Sequence, residues 1–280
     1  IMPSLVGSEM CIRDSLKAIL IGVFGLLMLA VFVIHQRTVR APLLDVRLFA
    51  NPRFSAIVSV ALVGMMALGG MSYLTGVYLQ SVLGHDVLAA ALAGLPMAVA
   101  VAVFSIGATR IATAIGSRAA FVGSVAFAAI GNLGLLWLST SSPIWIYLVF
   151  TSIAGIGYGI QFSLVSDVVV GSVPVERSGA ASGISETSFE LGTALGLALL
   201  GSLATLVFRA GSGGWDFGET LGETLHRALE MGDGGTALAD AARQAYVDGM
   251  HAASLAAVIA LTILGVVLMI VLRPERKPAR

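Results

Sequence analysis

The sequence predicts an all-α fold: a polytopic membrane bundle of seven transmembrane helices. Three observations point there. Hydrophobic residues make up 57% of the 280, charged residues only 11%, and the mean hydropathy is +0.94. A soluble domain is about a quarter charged, so this chain cannot cover a globular surface with polar groups. The apolar residues also gather into runs close to the roughly 20 needed to cross about 30 Å of hydrocarbon. Finally, these runs are apolar on all sides and lack the ten-residue alternation of a closed barrel, the other structure that satisfies every backbone group in lipid.

The same figures exclude several function classes. Sixteen basic and sixteen acidic residues leave no net charge, so the concentrated basic field of a nucleic-acid binder is absent. One cysteine excludes a disulfide framework and any multi-cysteine metal or cluster site.

Residues 1–15 stand apart from the rest of the chain. The run Glu9-Met10-Cys11-Ile12-Arg13-Asp14-Ser15 resembles the translation of a transposon-end sequencing adapter. It is expected to be non-native, and the single cysteine with it. It is no signal peptide, because acids interrupt it and no basic segment leads into an apolar run. Spans are then predicted at 16–34, 55–79, 89–108, 119–138, 145–166, 182–208 and 251–272. Ala56 to Leu79 is the clearest, with no charge in it. Pro96 is expected to kink the third span. Residues 35–54 read as a linker, 55–272 as a six-helix bundle and 273–280 as a basic tail. The long connection 209–250 holds seven acids against three bases. Within it, Thr220–Met231 and Thr236–Val247 suit short amphipathic helices lying on the membrane, with a disordered loop as the alternative.

Basic residues alternate between the connections, which sets topology. Arg37, Arg40, Arg47, Arg53, Arg110, Arg118, Arg177, Arg273, Arg276, Lys277 and Arg280 total eleven on one side, against Arg13, Lys17, Arg209, Arg227 and Arg243 on the other. The first group is expected to be cytoplasmic, which places the C-terminus inside the cell and residue 16 outside. The expected location is a bacterial-type plasma membrane. Trp137 and Trp145 flank a short turn where an interfacial aromatic belt would sit.

Ionisable side chains at membrane depth are costly and mark function by default. Glu186 and Glu190 are four residues apart, which puts both carboxylates on one helix face, with Cβ atoms about 5–6 Å apart. Two desolvated carboxylates that close cannot both ionise cheaply. Such a pair can hold a proton or exchange it for a cation, the requirement of a proton-coupled cation exchanger. The alternative is that both acids complement a helix N-terminal dipole or pair with Arg177. Asp167, followed by Glu176 and Arg177, fits interface solvation better than transport. Tyr73, Asn132, Tyr158 and Gln161 are polar residues at membrane depth that suit a cavity lining or interhelical hydrogen bonds. Gly155-Ile156-Gly157-Tyr158-Gly159 is no dinucleotide fingerprint, because the third glycine is misplaced and no strand precedes it. It reads as helix packing, as does Gly192 to Gly196. An intramembrane enzyme is not expected: His-Glu-x-x-His and Gly-x-Ser-x-Gly are both missing.

From residue 38 to 272 the chain resembles the 14-helix drug:proton antiporter family of the major facilitator superfamily. The carriers are Pro42-Leu43-Leu44-Asp45-Val46-Arg47-Leu48-Phe49, Tyr78-Leu79-Gln80 and Ala93-Gly94-Leu95. To these add Arg177-Ser178-Gly179-Ala180-Ala181-Ser182-Gly183 and Tyr246-Val247-Asp248-Gly249-Met250-His251. The run Ser185-Glu186-Thr187 with Glu190-Leu191-Gly192 is similar to the branch exporting quaternary ammonium compounds and methyl viologen. The resemblance implies that the first span is the second helix of an extra central pair and that the other six form the C-terminal half-bundle. It implies export of lipophilic cations against inward proton flow, with Glu186 and Glu190 at the family's substrate and proton sites. The third span lacks the acid some members carry, and the loop Gly107–Arg118 lacks the aspartate of the gating motif. The resemblance also implies a missing N-terminal half-bundle as partner, beside lipid, protons and a small-molecule substrate. No cofactor or metal is expected. Export of a metabolite such as an amino acid or lipid precursor is the alternative within the superfamily, and a non-transporting membrane scaffold the alternative outside it.

Overall fold

The structure, a computed structural model, describes residues 20, 22–25, 27–32, 34–36, 38, 49–171 and 178–272, apart from the side chain of Asp233. The expectations for residues 1–15, for most of the 35–54 linker, for Arg177 and for the basic tail fall outside those residues. The described chain forms two compact units that part between Asn51 and Pro52. The first holds one short apolar helix, α1 (Gly22–Gln36), after which the Thr38 hydroxyl donates to the His35 carbonyl at 2.8 Å.

The described residues of the second unit form helices joined by turns. The unit comprises α2 (Pro52–Val77), continued by a π-helical turn Tyr78–Val82, then α3 (Val87–Ala93), α4 (Leu95–Ile115) and α5 (Ser117–Gly134). These are followed by α6 (Ile144–Gly171), α7 (Ser178–Ala210), α8 (Leu221–Glu230) and α9 (Gly235–Val271). Among the described residues, six stretches are long and apolar enough to cross a membrane: Pro52–Val82, Val87–Ile115, Ser117–Trp137, Ile144–Gly171, Ser178–Ala210 and Gly235–Val271. The predicted spans from 55 to 208 coincide with the first five, with only Leu138 falling outside its stretch. Asp86 caps α3, its carboxylate accepting from the Ala89 amide at 2.7 Å. The break expected at Pro96 falls at Gly94, between α3 and α4, because proline has no N–H to return to Leu92 and its ring crowds that carbonyl.

One expectation needs correction. Residues 236–247 are not a separate surface helix: α9 runs unbroken for 37 residues. The segment Thr236-Ala237-Leu238-Ala239-Asp240-Ala241-Ala242 is rich in strong helix formers and contains no proline. Gly249, the weak point between this segment and the apolar run, lies where an added Cβ would meet the backbone of Ala204 on α7, so tertiary packing holds it helical. At about 1.5 Å per residue α9 is roughly 55 Å long, so its first turns project beyond a hydrocarbon layer of about 30 Å. The other stretch, Thr220–Met231, forms the amphipathic α8 as expected. Thr220 accepts from the Glu223 amide at 3.2 Å, and the Glu223 carboxylate accepts from the Glu219 amide at 2.8 Å. These two bonds satisfy orphan donors at the helix start.

Small residues decide which helices meet. Without a hydrophobic drive between helices in lipid, close van der Waals contact has to supply the association. A Cβ added at Gly192 or Gly196 of α7 would strike the carbonyl oxygens of Leu62 and Met66 on α2, so α2 and α7 run side by side with their backbones in contact. On α6, Gly155 and Gly159 abut Met97 and Val101 of α4, while Gly157 abuts Ser124 and Ala128 of α5. The glycine-rich run of α6 therefore wedges that helix between two neighbours, and the packing reading of both glycine patterns holds.

Candidate functional site

α7 starts at Ser178, so Glu186 and Glu190 sit about 12 and 18 Å along a helix of roughly 50 Å. With the helix centred in the bilayer, both would lie within the hydrocarbon. That depth weakens the dipole alternative, because the macrodipole fades after the first turn. The buried side of α7 is formed by Ala181, Ile184, Ser185, Ser188, Gly192 and Gly196, and it faces α2 and α9. Both glutamates are on the other side. They are exposed, and among the described residues neither carboxylate has a hydrogen-bond or ion-pair partner. Desolvation of this pair, the premise of the sequence reading, is therefore not supplied within the chain itself. Next to Glu186, the Ser185 hydroxyl is buried without a partner.

The other candidate residues separate into three environments. Asn132 and Tyr158 are buried and joined, the Asn132 Nδ2 donating to the Tyr158 hydroxyl at 2.8 Å and to the Ala128 carbonyl at 2.8 Å. The Asn132 backbone carbonyl accepts from the Ser254 hydroxyl of α9 at 2.6 Å. Both residues line a small cavity of about 30 Å³ with Thr75, Tyr147 and Thr151, which is room for a single water. This cluster ties α5, α6 and α9 together. Gln161, by contrast, is fully buried with neither amide atom paired, and its Oε1 presses on Gly64 of α2. Asp167 is exposed and accepts from Thr109 at 3.3 Å.

Tyr73 belongs to a different space. It is 58% exposed and lines an open cavity of about 1040 Å³ with Phe208, Arg209, Glu219 and Tyr246. This cavity lies at the end of α7 away from Ser178, under the start of α8. Sequence reasoning missed Arg209, Glu219 and Tyr246, because a loop of mixed charges shows no pattern until α8 folds back. The Tyr246 hydroxyl donates to the Leu74 carbonyl at 2.9 Å, which fixes its ring in the wall.

The described residues thus present two cavities with polar groups in their walls and one exposed acid pair, and no metal-ligand cluster is found among them. The chain is 29% identical to the multidrug efflux pump LfrA of Mycolicibacterium smegmatis over 75% of its length and 42% of the pump's. It is 27% identical to the methyl viologen resistance protein SmvA of Salmonella typhimurium over 80% of its length and 47% of the relative's. The chain thus spans less than half the length of these curated relatives. In three dimensions it matches, at TM-score 0.62 and 22% identity, a bacterial homologue of the human lysosomal transporter Spinster in an inward-facing, unoccupied conformation. The alignment covers 83% of this chain and 51% of that one. Residues 16–197 match the family model of the Major Facilitator Superfamily. This chain is an integral membrane protein and belongs to that superfamily.

Proposed function

We propose that the chain is the C-terminal half-bundle, with one preceding helix, of a proton-coupled exporter of small amphipathic cations. The observation that carries the reading is the unpartnered pair Glu186 and Glu190 on the open face of α7. An acid pair on a lipid-facing helix surface would be strongly disfavoured. Its exposure here is explained if a second half-bundle faces α7 and encloses the pair in a central cavity. The lengths of LfrA and SmvA, and the efflux and resistance functions their names state, support that arrangement. Enclosure would bring back the desolvation expected from the sequence. Glu190, the deeper acid, then holds the exchanged proton, and Glu186 adds Coulomb attraction for the cation in a low-dielectric space. The seventh span, the cytoplasmic C-terminus and the plasma-membrane location belong to the same proposal, supported by the eleven-to-five asymmetry of basic residues.

The test is uptake of a fluorescent quaternary ammonium dye into inverted vesicles holding the complete exporter, driven by an imposed pH gradient with the lumen acidic. Glu190→Gln is expected to abolish gradient-driven transport at unchanged expression, and Glu186→Gln to raise KM for the dye more than it lowers the maximal rate. Unaltered transport by Glu190→Gln would refute the assignment.

A further inference from the structure

The stripe of α7 that carries the acid pair continues to a second place where a cation fits. At 3.6 residues per turn, Glu186, Glu190, Leu197 and Gly201 fall within about 60° of one another around the helix. Leu197 and Gly201 line the cavity of about 1040 Å³, at the upper end of the size of small-molecule sites. Three of its wall residues are aromatic: Tyr73 of α2, Phe208 of α7 and Tyr246 of α9. Two are charged, Arg209 and Glu219.

The charge pattern around the cavity is selective. Asp216 and Glu223 both pair with Arg227, at 3.4 and 2.6 Å. Glu230 contacts His226 at 3.5 Å, and Asp240 contacts Arg243 at 3.1 Å. Asp248 accepts from the Gln244 amide at 3.0 Å. Each of these acids has its partner on the surface. Among the described residues, the Glu219 carboxylate has none, and neither has the Arg209 guanidinium. Both line the same cavity without pairing with each other. A site with aromatic walls and one free carboxylate attracts an organic cation through the ring quadrupoles and the acid together. A like charge in the same cavity opposes it.

We propose that this cavity is a second binding subsite for an amphipathic organic cation, with Glu219 as its counter-charge and Tyr73 and Phe208 as its aromatic walls. Arg209 keeps the subsite weak, so a cation moving along the α7 stripe is released instead of trapped. The proposal rests on the export reading above, and its test does not require transport. Tetraphenylphosphonium binding would be measured by equilibrium dialysis on the purified exporter in lipid nanodiscs, without a gradient. All variants would be built on a Glu186→Gln, Glu190→Gln background, so that the acid pair contributes no charge. Unfolding midpoints would verify that each variant is folded.

Residual binding is expected on that background. Glu219→Gln and Tyr73→Ala should each weaken it by about threefold to tenfold, and Arg209→Gln should strengthen it by a similar factor. A neutral aromatic of the same size, triphenylphosphine oxide, should respond to Tyr73→Ala but to neither charge variant. Absence of residual binding, or charge variants that move affinity in the same direction or not at all, would overturn the subsite. Loss of coupling in Glu190→Gln together with such a result would leave the export reading standing. Normal coupling in Glu190→Gln together with opposite shifts for Glu219→Gln and Arg209→Gln would do the reverse.

Discussion

The inner seam around α6 and the open face of α7 treat polar groups in opposite ways. Around α6, Asn132, Tyr158 and Ser254 satisfy one another inside a closed contact of α5, α6 and α9. On α7, Glu186 and Glu190 stand exposed and, among the described residues, unpartnered, and so does Glu219 at the large cavity further along. The contrast separates polar residues that hold helices together from those that the proposed function reserves for a ligand. In lipid, an unsatisfied group is costly, so a chain that satisfies one region and leaves another open has a use for the open one.

Gln161 tests that division, because it belongs to the seam by burial and to the open face by its lack of partners. Four predictions place it and its neighbours. The largest effect is expected from Gly196→Leu, whose side chain would meet the Met66 carbonyl and the α2 backbone. It should separate α2 from α7, and folded, monodisperse protein should be lost in size-exclusion chromatography. Next, Asn132→Leu removes the donor to Tyr158 and leaves that buried hydroxyl alone. A loss of about 0.6–2 kcal/mol is expected in a steric-trap or denaturant measurement.

Gln161→Met should behave differently. It keeps length and removes an amide whose two ends are unsatisfied, a change that is close to neutral or stabilising. A loss as large as that of Asn132→Leu would mean that Gln161 has a partner and belongs to the seam. The smallest effect concerns α8. The Glu219 amide, and then Arg227, hold the Glu223 carboxyl below its ordinary 4.5. A depressed carboxyl contributes its stabilisation above the unfolded pKa and loses it as the pH falls through the folded one. Hydrogen exchange at the Glu219 and Glu223 amides should therefore be slow at neutral pH relative to the intrinsic rate, and lose that protection only as the pH falls below 4.5. Protection unchanged in Glu223→Gln would show that the cap does not depend on the charge.

Much of this architecture was legible from residues 55 to 208, where apolar runs of membrane length are separated by short polar turns. The glycine patterns of α6 and α7 were legible as well, since small residues in membrane helices have one dominant use. The extent of α9 was not. Its first turns carry Asp240, Arg243 and Asp248, and a polar stretch before an apolar run looks the same whether the helix continues or restarts. Nor did spacing alone reveal which side of α7 would face its neighbours. The four-residue step put Glu186 and Glu190 together, but burial depended on where α2 packs, which Gly192 and Gly196 decide from the opposite side of the helix. Glu219 was hidden among seven acids until residues of α8 and α9 partnered Asp216, Glu223, Glu230, Asp240 and Asp248.

The central claim is that the open face of α7 exchanges protons for cations. Proton release on addition of tetraphenylphosphonium to the detergent-solubilised complete exporter, read with a pH-sensitive dye in weakly buffered solution, tests it most directly. Cation binding to the unaltered protein should expel protons, and the Glu186→Gln, Glu190→Gln double variant should bind the cation without releasing any. Undiminished proton release from the double variant would contradict the claim and move the coupling site elsewhere in the transporter.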